Sequence, residues 1–542
     1  MPPISELDQH YLHHTRRWFV VVMVGYVLIA VNFARLTPAW QAPDEPAHYN
    51  YIAHIATEGK LPVLRMGDYD QDYQSSLVGS KFAPELSIEP LRYEGYQPPL
   101  YYLLAAPLYW LTGGNLLALR LFGVVLGSIV ILLLYHCVNL AFPDKPMVTL
   151  GATAFVAFLP MQVAVTAALN NDTLALLLLL AAAALLFQWM REQFNQASVH
   201  TTAHSRRQLL GLGVVLGLGL LTKIYAYLMT PLCLVAIMAI YWRGRAPNRP
   251  VLATLRQGIG ASLWALAPAL VLGLPWWVRN LHLYGGRDVL GLTWHDLVVA
   301  GQPRTLDWIQ SNGLVSYSER AFGFTFKSFW GVFGWMSAFM DERIYTALLI
   351  FTGVLFLGLL WTLIRLLSGS PDTDIDDYQR WILIFLAVML LAVLAGYIWY
   401  NLKFVQHQGR YFFWGLLPIS VFVALGWREV MRPVQGAITG LLATVLALAL
   451  AFTGYVGGEM DKWTILTIAL TALLLLLQPL LYVGDENYTL RWVPRRIQEF
   501  FTQPFWVTLC RFLRIGAWMT PFLLLALLDA LLPAFLIAPL LQ

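Results

Sequence analysis

LLGLGVVLGLGLLTKIYAYLMTPLCLVAIMAIYW, Leu209 to Trp242, is the stretch on which the topology of this chain turns. It is apolar except for Thr222-Lys223 near its middle. As one helix rising about 1.5 Å per residue it would reach about 50 Å, against about 30 Å of bilayer hydrocarbon. Charge decides between one span and two. A single crossing sets Arg243, Arg245, Arg249 and Arg256 on the opposite side from Arg191, Arg206 and Arg207, whereas basic loops collect on the cytoplasmic side. Two short spans with Lys223 at the turn keep both basic loops inside.

The same accounting extends outward in both directions. Apolar runs of roughly the 20 residues that a crossing needs occupy 18–35, 117–140, 148–169, 173–190, 257–280, 344–366, 381–400, 411–427, 434–454, 462–482 and 515–540. With the hairpin they predict an all-α polytopic membrane protein of about 13 transmembrane helices. Pro98–Leu111, PPLYYLLAAPLYWL, is too short to span and would flip the basic loops if it did. It reads as a juxtamembrane helix in a long first extracytoplasmic loop. Arg16 and Arg17 before the first run mark a signal anchor with a cytoplasmic N-terminus, no cleavage site being apparent. Arg428, Arg432, Arg491, Arg495 and Arg496 then also fall inside, and the acidic stretch Asp372–Asp377 reads as a solvated loop.

Composition agrees. Of 542 residues 58% are apolar and 12% charged, with mean hydropathy +0.61, while soluble domains run at about 45–50% apolar and about 25% charged. Lipid is the expected solvent, and 21 Trp suit many membrane–water interfaces. A net charge of +4 gives no reason for a nucleic-acid partner. Cys137, Cys233 and Cys510 lie in or beside apolar runs without metal-ligand spacing, as inert thiols do. The expected organisation is a cytoplasmic N-terminus and first span at 1–36, a first extracytoplasmic loop at 37–116, a transmembrane core at 117–280, a second loop at 281–343 and C-terminal spans at 344–542.

Four features on the outer side could carry chemistry. APDEPAHY (Ala42–Tyr49) sets Asp44 and Glu45 between two prolines that restrict the backbone. Its plain structural reading makes Asp44 the cap of a helix and leaves Glu45 in water. YEGYQPPLYYLL (Tyr93–Leu104) suits an interfacial anchor, and ALNNDTLA (Ala168–Ala175) an acidic turn where Asp172 caps the next helix. Lys223, Arg279 in LPWWVRN and Arg410 in HQGRYFF end outer helices, against the cytoplasmic bias. Each alone fits snorkelling to headgroups; together, beside Asp44 and Asp172, they suit an anionic ligand such as a polyprenyl phosphate.

PDEPAHY, QPPLYYL, the stretch from Arg120, NNDTLA, GLGLLTK and PWWVRN, in that order, resemble the C-type superfamily of membrane glycosyltransferases, such as protein O-mannosyltransferases and lipid A aminoarabinose transferases. FKSFWGVFGWM (Phe326–Met336) and QGRYFF (Gln408–Phe413) resemble a bacterial branch of predicted membrane proteins. The resemblance runs from about Ala42 to Phe413. It implies a transferase of the cell membrane with its active site on the extracytoplasmic face, taking a hexose or pentose from a polyprenyl-phosphate sugar. It maps Asp44 to the catalytic base or metal-associated carboxylate, Asp172 to a second acid and Lys223 to the lysine ending the Gly-rich span. The mannosyltransferase histidine before the Pro-Pro pair is Gln97 here.

The expected mechanism is inverting displacement, with Asp44 as base and Lys223, Arg279 and Arg410 on the phosphate. Glu45, His48, Gln97 and Asp172 would shape the sugar and acceptor pocket, and Phe322–Phe339 a lid or lipid-facing hairpin. Some members of the superfamily use a divalent metal, for which Asp44 and Asp172 are the candidate ligands. Membrane lipids are expected partners; the acceptor, whether protein, lipid or cell-wall glycan, stays open. The alternatives are a transporter or flippase of lipid-linked saccharides, a polymerase or ligase of them, and a scaffold.

Overall fold

In the computed structural model, which describes residues 15–196, 202–368, 375–483, 494, 496, 499–500 and 502–542, the apolar runs are helices. Arg491, Arg495, Asp372 and Asp374 lie outside the described residues. Helix α1 (Thr15–Leu36) leads into a loop that carries α2 (Glu45–Glu58), α3 (Gln71–Gly79), a 3₁₀ turn at Tyr93–Tyr96 and α4 (Leu100–Thr112). Helices α2 and α4, at 14 and 13 residues, are too short to cross. The long α5 (Leu116–Ala141) is followed by α6 (Pro146–Ala157) and α7 (Pro160–Thr166), which meet at 63°. The bend has a local cause: Pro160 disfavours a helical conformation at Leu159, which is extended at φ −86° and ψ 110°.

Helix α8 (Asp172–Phe194) is the post of the bundle, with 78% of its apolar window enclosed. Next come α9 (Ala203–Leu220), α10 (Tyr225–Arg243) and α11 (Val251–Leu283). The expected hairpin is present, and Lys223 sits in its break. Gly213 lets α9 lie against α11, since a Cβ there would stand 2.2 Å from the Ala265 carbonyl oxygen. The second loop carries α12 (Leu292–Val298), α13 (Thr305–Asn312) and α14 (Leu314–Trp330), then a two-stranded hairpin of β1 (Val332–Phe333) and β2 (Ala338–Phe339) in which Val332 faces Phe339. Helices α15 (Glu342–Leu367), α16 (Asp377–Asn401), α17 (Leu416–Val430), α18 (Pro433–Gly457), α19 (Lys462–Leu477), α20 (Pro504–Leu532) and α21 (Ala538–Leu541) complete the chain.

Among the described residues, eleven helices are long and apolar enough to cross a membrane, twelve if α6 and α7 form one span. The expected count of about thirteen is reached only by adding α9, whose first turns, AHSRRQ, are polar. Alternation along the chain brings the ends of α1 and α7, the start of α8, the α9–α10 turn and the start of α17 to one end of the bundle. Contacts join them: Leu100 N–H donates to the Leu221 carbonyl at 2.9 Å, and Lys81 Nζ in the first loop donates to the Gln542 carbonyl at 2.6 Å. The acidic stretch is partly structural, because Asp376 and Gln379 form a capping box at the start of α16.

This topology is checked by cysteine labelling. A membrane-impermeant maleimide should reach Lys60→Cys, Gly286→Cys and Glu459→Cys from one face, and Arg207→Cys and Asn248→Cys only from the other.

Candidate functional site: two ion pairs at the helix ends

Helix α2 begins at Glu45 with Pro46 in its first turn, so Asp44 occupies the N-cap position. Its side chain makes no cap hydrogen bond. The residue adopts the left-handed conformation, φ 66° and ψ −5°, which is uncommon outside glycine and is held only where the surroundings determine it. The carboxylate is turned away from the helix. Oδ2 accepts from Arg410 Nη2 at 2.8 Å and Oδ1 from the Tyr93 hydroxyl at 3.0 Å. Burial by itself raises the Asp44 carboxyl, but the Arg410 guanidinium, with the two hydrogen bonds, outweighs it and holds the group below the usual carboxylate range. Arg410 depends in turn on its neighbour. Gly409 lies so close to α14 that a Cβ would sit 2.2 Å from the Phe329 amide nitrogen, and the Gly409 N–H donates to Ser328 Oγ at 2.8 Å.

The second pair is built the same way. Asn170 does the capping expected of Asp172, since its Oδ1 accepts from the Asp172 and Thr173 amides at 3.0 and 3.4 Å. Asp172 is thereby free to pair with Lys223 Nζ at 2.6 Å. Asn171, fully buried, donates to the Thr222 carbonyl at 3.2 Å and to Gln97 Oε1 at 3.4 Å, locking the α8 start to the hairpin turn. His48 feels both pairs. Burial lowers it first, and the opposing charges of Asp44, Lys223, Asp172 and Arg410 leave it at about 4, neutral, with Nδ1 2.9 Å from the Tyr102 hydroxyl.

Two cavities meet here. One, of about 360 Å³, is lined by Asp172, Arg410, Tyr225, Trp414 and Gln162 among others. The other, of about 530 Å³, is lined by Gln41, Arg120, Asn170, Phe333 and again Arg410. Arg410 is therefore part of the wall of both, and its Nε is buried without a hydrogen-bond partner. The aromatic hairpin lies over this end, with Trp335 Nε1 donating to the Trp40 carbonyl at 3.0 Å.

Of the residues singled out in the sequence, Asp44, His48, Asp172, Lys223 and Arg410 converge. Gln97 lies beneath them with its amide engaged by Tyr96 and Asn171. Glu45 joins neither ion pair. It is fully buried and bound by Arg120 through Nη2 at 2.6 Å and Nε at 2.8 Å, and it also accepts from the Trp40 amide at 3.1 Å and the Leu169 amide at 3.3 Å. Arg279 joins neither ion pair. Its Nη2 donates to the Pro62 carbonyl at 2.5 Å and its guanidinium lies 4.6 Å from the Trp276 ring. Asp44 and Asp172, the candidate metal ligands, are paired with Arg410 and Lys223. Among the described residues no group of three or more His, Cys, Asp or Glu side chains assembles.

Sequence reasoning gave Tyr93, Glu94, Arg120 and Asn171 no role of their own. Arg120 had a signal, a single cation in the apolar run LLALRLFG, where an unpaired charge is costly. Removing one partner of a buried ion pair costs about 3–5 kcal/mol. Glu45→Ala should therefore lower the thermal midpoint of the purified protein markedly, through Arg120 left buried and unpaired.

Residues 96–271 match the family model described as dolichyl-phosphate-mannose-protein mannosyltransferase. No protein of curated function matches the chain. Among solved structures, ArnT from Cupriavidus metallidurans bound to undecaprenyl phosphate aligns with TM-score 0.47 and 12% identity over 96% of this chain and 76% of that one. The oligosaccharyltransferase of Archaeoglobus fulgidus, tethered with an acceptor peptide, aligns with TM-score 0.42 and 14% identity over 86% of this chain and 57% of that one. The same organism's AglB, in complex with an inhibitory peptide and a dolichol-phosphate, gives 0.40 and 14% over 90% and 60%. This chain thus spans less than two thirds of the archaeal enzyme's length. The family model begins at Tyr96 and runs beyond Lys223, and over that span the resemblance to the C-type membrane glycosyltransferase superfamily is borne out.

Proposed function

We propose that this chain is a glycosyltransferase that takes a sugar from a polyprenyl-phosphate carrier and passes it, at the extracytoplasmic end of the bundle, to an acceptor nucleophile. The observation that carries the reading is Asp44. A carboxylate at an N-cap position that declines the cap, in a left-handed backbone, and faces an arginine with a buried unpartnered N–H is arranged for something other than helix stability. The inference runs from the observed strain to function.

In this reading the donor phosphate arrives as an anion between Arg410 and Lys223, with the lipid tail among the apolar helices. Arginine suits the phosphate oxygens through its planar fork of donors. As Arg410 turns to the phosphate it leaves Asp44, whose affinity for a proton rises when that neighbouring charge goes. Asp44 then takes the proton of the acceptor as the acceptor atom bonds to the anomeric carbon. The bond from that carbon to the phosphate oxygen breaks, and its electron pair stays on the phosphate. Lys223 and Arg410 offset the charge that grows there. A single displacement inverts the anomeric centre. A phosphate leaves as a stable anion, so no strong general acid is needed, unlike the carboxyl pair of glycosidases. Asp172 orients Lys223, and neutral His48 keeps the pocket polar without adding charge.

Loss of a general base costs about 10²–10⁴-fold in rate. Asp44→Asn should lower transfer by that factor in an assay of the purified protein with defined polyprenyl-phosphate sugars, with membrane insertion unchanged. Wild-type turnover in that variant would remove Asp44 from the chemistry. Lys223→Ala should chiefly raise the donor KM, and an unaltered donor affinity would show that Lys223 does not meet the phosphate.

A further inference from the structure

The second of the two cavities has no part in the mechanism above. It measures about 530 Å³, and Ala42 and Pro43, the residues just before Asp44, form part of its wall. Two of its polar residues are already committed. Arg120 spends every N–H on Glu45 and on the carbonyls of Ala34, Thr37 and Pro38. Asn170 gives its amide nitrogen to the Val165 and Ala168 carbonyls and its oxygen to the Asp172 and Thr173 amides. Two others are not. Gln41 is 3% exposed, and its Nε2 is buried without a hydrogen-bond partner, as is Arg410 Nε. Gln41 is also held in place through its neighbour. The Trp40 N–H donates to Glu45 Oε2 at 3.1 Å, and the Trp40 carbonyl accepts from Trp335 Nε1 at 3.0 Å.

We propose that this cavity is the acceptor site, and that Gln41 Nε2 and Arg410 Nε hold the oxygens of an uncharged, hydroxyl-bearing sugar unit. The inference rests on the transferase reading and names the acceptor class which that reading leaves open. A buried N–H without a partner is costly, so the wall is completed by a ligand that supplies oxygen atoms. Charge narrows the class. The two cations that line the cavity, Arg120 and Arg410, are matched by Glu45 and Asp44, and during transfer Arg410 serves the donor phosphate. An acceptor with a negative charge of its own would meet no further cation among the residues lining the cavity. An unpaired buried charge is far more costly than a neutral polar group. Two donors also ask for two oxygens. A sugar ring carries several hydroxyls, whereas a serine or threonine side chain brings one. Met161, Ala164 and Phe333 supply apolar wall for the C–H face of such a ring. Binding cavities commonly join an apolar lining to a few polar groups that fix orientation. One bound hydroxyl then makes the attack described above. Its oxygen bonds to the anomeric carbon, its proton passes to Asp44, and the phosphate leaves with the electron pair of the broken bond.

The test uses the whole protein in lipid nanodiscs and saturation-transfer NMR, with the methyl glycosides of glucose, galactose and mannose as probes. At least one should bind the wild type, and should remain bound when undecaprenyl phosphate is added. Ala164→Phe fills this cavity alone. It should abolish glycoside binding and leave undecaprenyl phosphate binding at the wild-type level, which also shows that the variant folds. Gln41→Leu should weaken the glycoside by up to about tenfold, the scale of one buried hydrogen bond. Should Ala164→Phe fail to fold, Gln41→Leu carries the assignment to the cavity. Three results overturn the proposal: no glycoside binds the wild type, undecaprenyl phosphate displaces the glycoside, or binding is indifferent to both substitutions. Glucose 6-phosphate or a threonine tripeptide that binds more tightly than the glycosides, and is lost in Ala164→Phe, overturns the uncharged sugar as the ligand. If undecaprenyl phosphate binds nowhere, the transferase reading fails by itself, and the glycoside arm still decides what the cavity takes.

Discussion

Everything at the candidate site depends on the buried pair between Glu45 and Arg120. Arg120 rises from the first turns of α5 and spends its whole guanidinium on one place. It binds the Glu45 carboxylate and the carbonyls of Ala34, Thr37 and Pro38, at 3.1, 2.6 and 3.0 Å respectively. Those carbonyls belong to the end of α1 and the segment just beyond it, where the helix runs out of internal donors. One side chain therefore closes the first span, anchors the start of α2 and joins both to α5. Taking two charges out of water is expensive unless nearly every lone pair and proton is used, and here they are. The return is placement: with Glu45 pinned, the residue before it has one direction left, toward Arg410.

The site itself is close to electrically neutral. Two acids meet two cations in a setting where water is largely excluded and unpaired charge is costly. Such a site holds its shape before any ligand arrives, yet each ion pair can be exchanged. In the transfer proposed above, an anion that offers oxygens to Arg410 takes over what Asp44 supplies, while Asp172 keeps Lys223 in place. Arg410 borders both cavities, so its movement changes the boundary between them. Preorganised dipoles and charges of this kind need no large rearrangement at the moment of reaction.

Length and hydropathy made the helices legible in the sequence. The hairpin at Lys223 followed from two independent constraints, bilayer thickness and the side taken by arginines, and it stands as read. The α6–α7 bend was harder to see, because Pro160 interrupts a run whose hydropathy is unbroken. Asp44, Asp172, Lys223 and Arg410 were legible because polar residues at the ends of apolar spans are conspicuous. Asp44 and Glu45 could not be told apart. They are adjacent acids in one motif, and what separates the carboxylate paired with Arg410 from the one paired with Arg120 is a single backbone torsion at φ 66°, which composition does not encode.

Glu94 and Asn171 stayed hidden for a different reason. Each looks like an ordinary polar residue in a turn, where water would satisfy it. Burial is what changes their meaning: Asn171 is enclosed against Gln97 and the Thr222 carbonyl, and the second loop packs on the turn that holds Glu94. Gly291 and Tyr284 close over Tyr96, and Trp294 Nε1 donates to the Leu64 carbonyl at 2.9 Å. Those contacts cross more than 180 residues of chain, so no local pattern announces them. A first-loop carbonyl and its own helix explain why Arg279 went elsewhere. Its guanidinium stacks on Trp276 and binds the Pro62 carbonyl, so it ties α11 to the first loop while Lys223 and Arg410 keep their carboxylates. A cation at the outer end of a helix is thus either a ligand group or a structural tie, and the choice is made by whether a carboxylate or a backbone carbonyl meets it first.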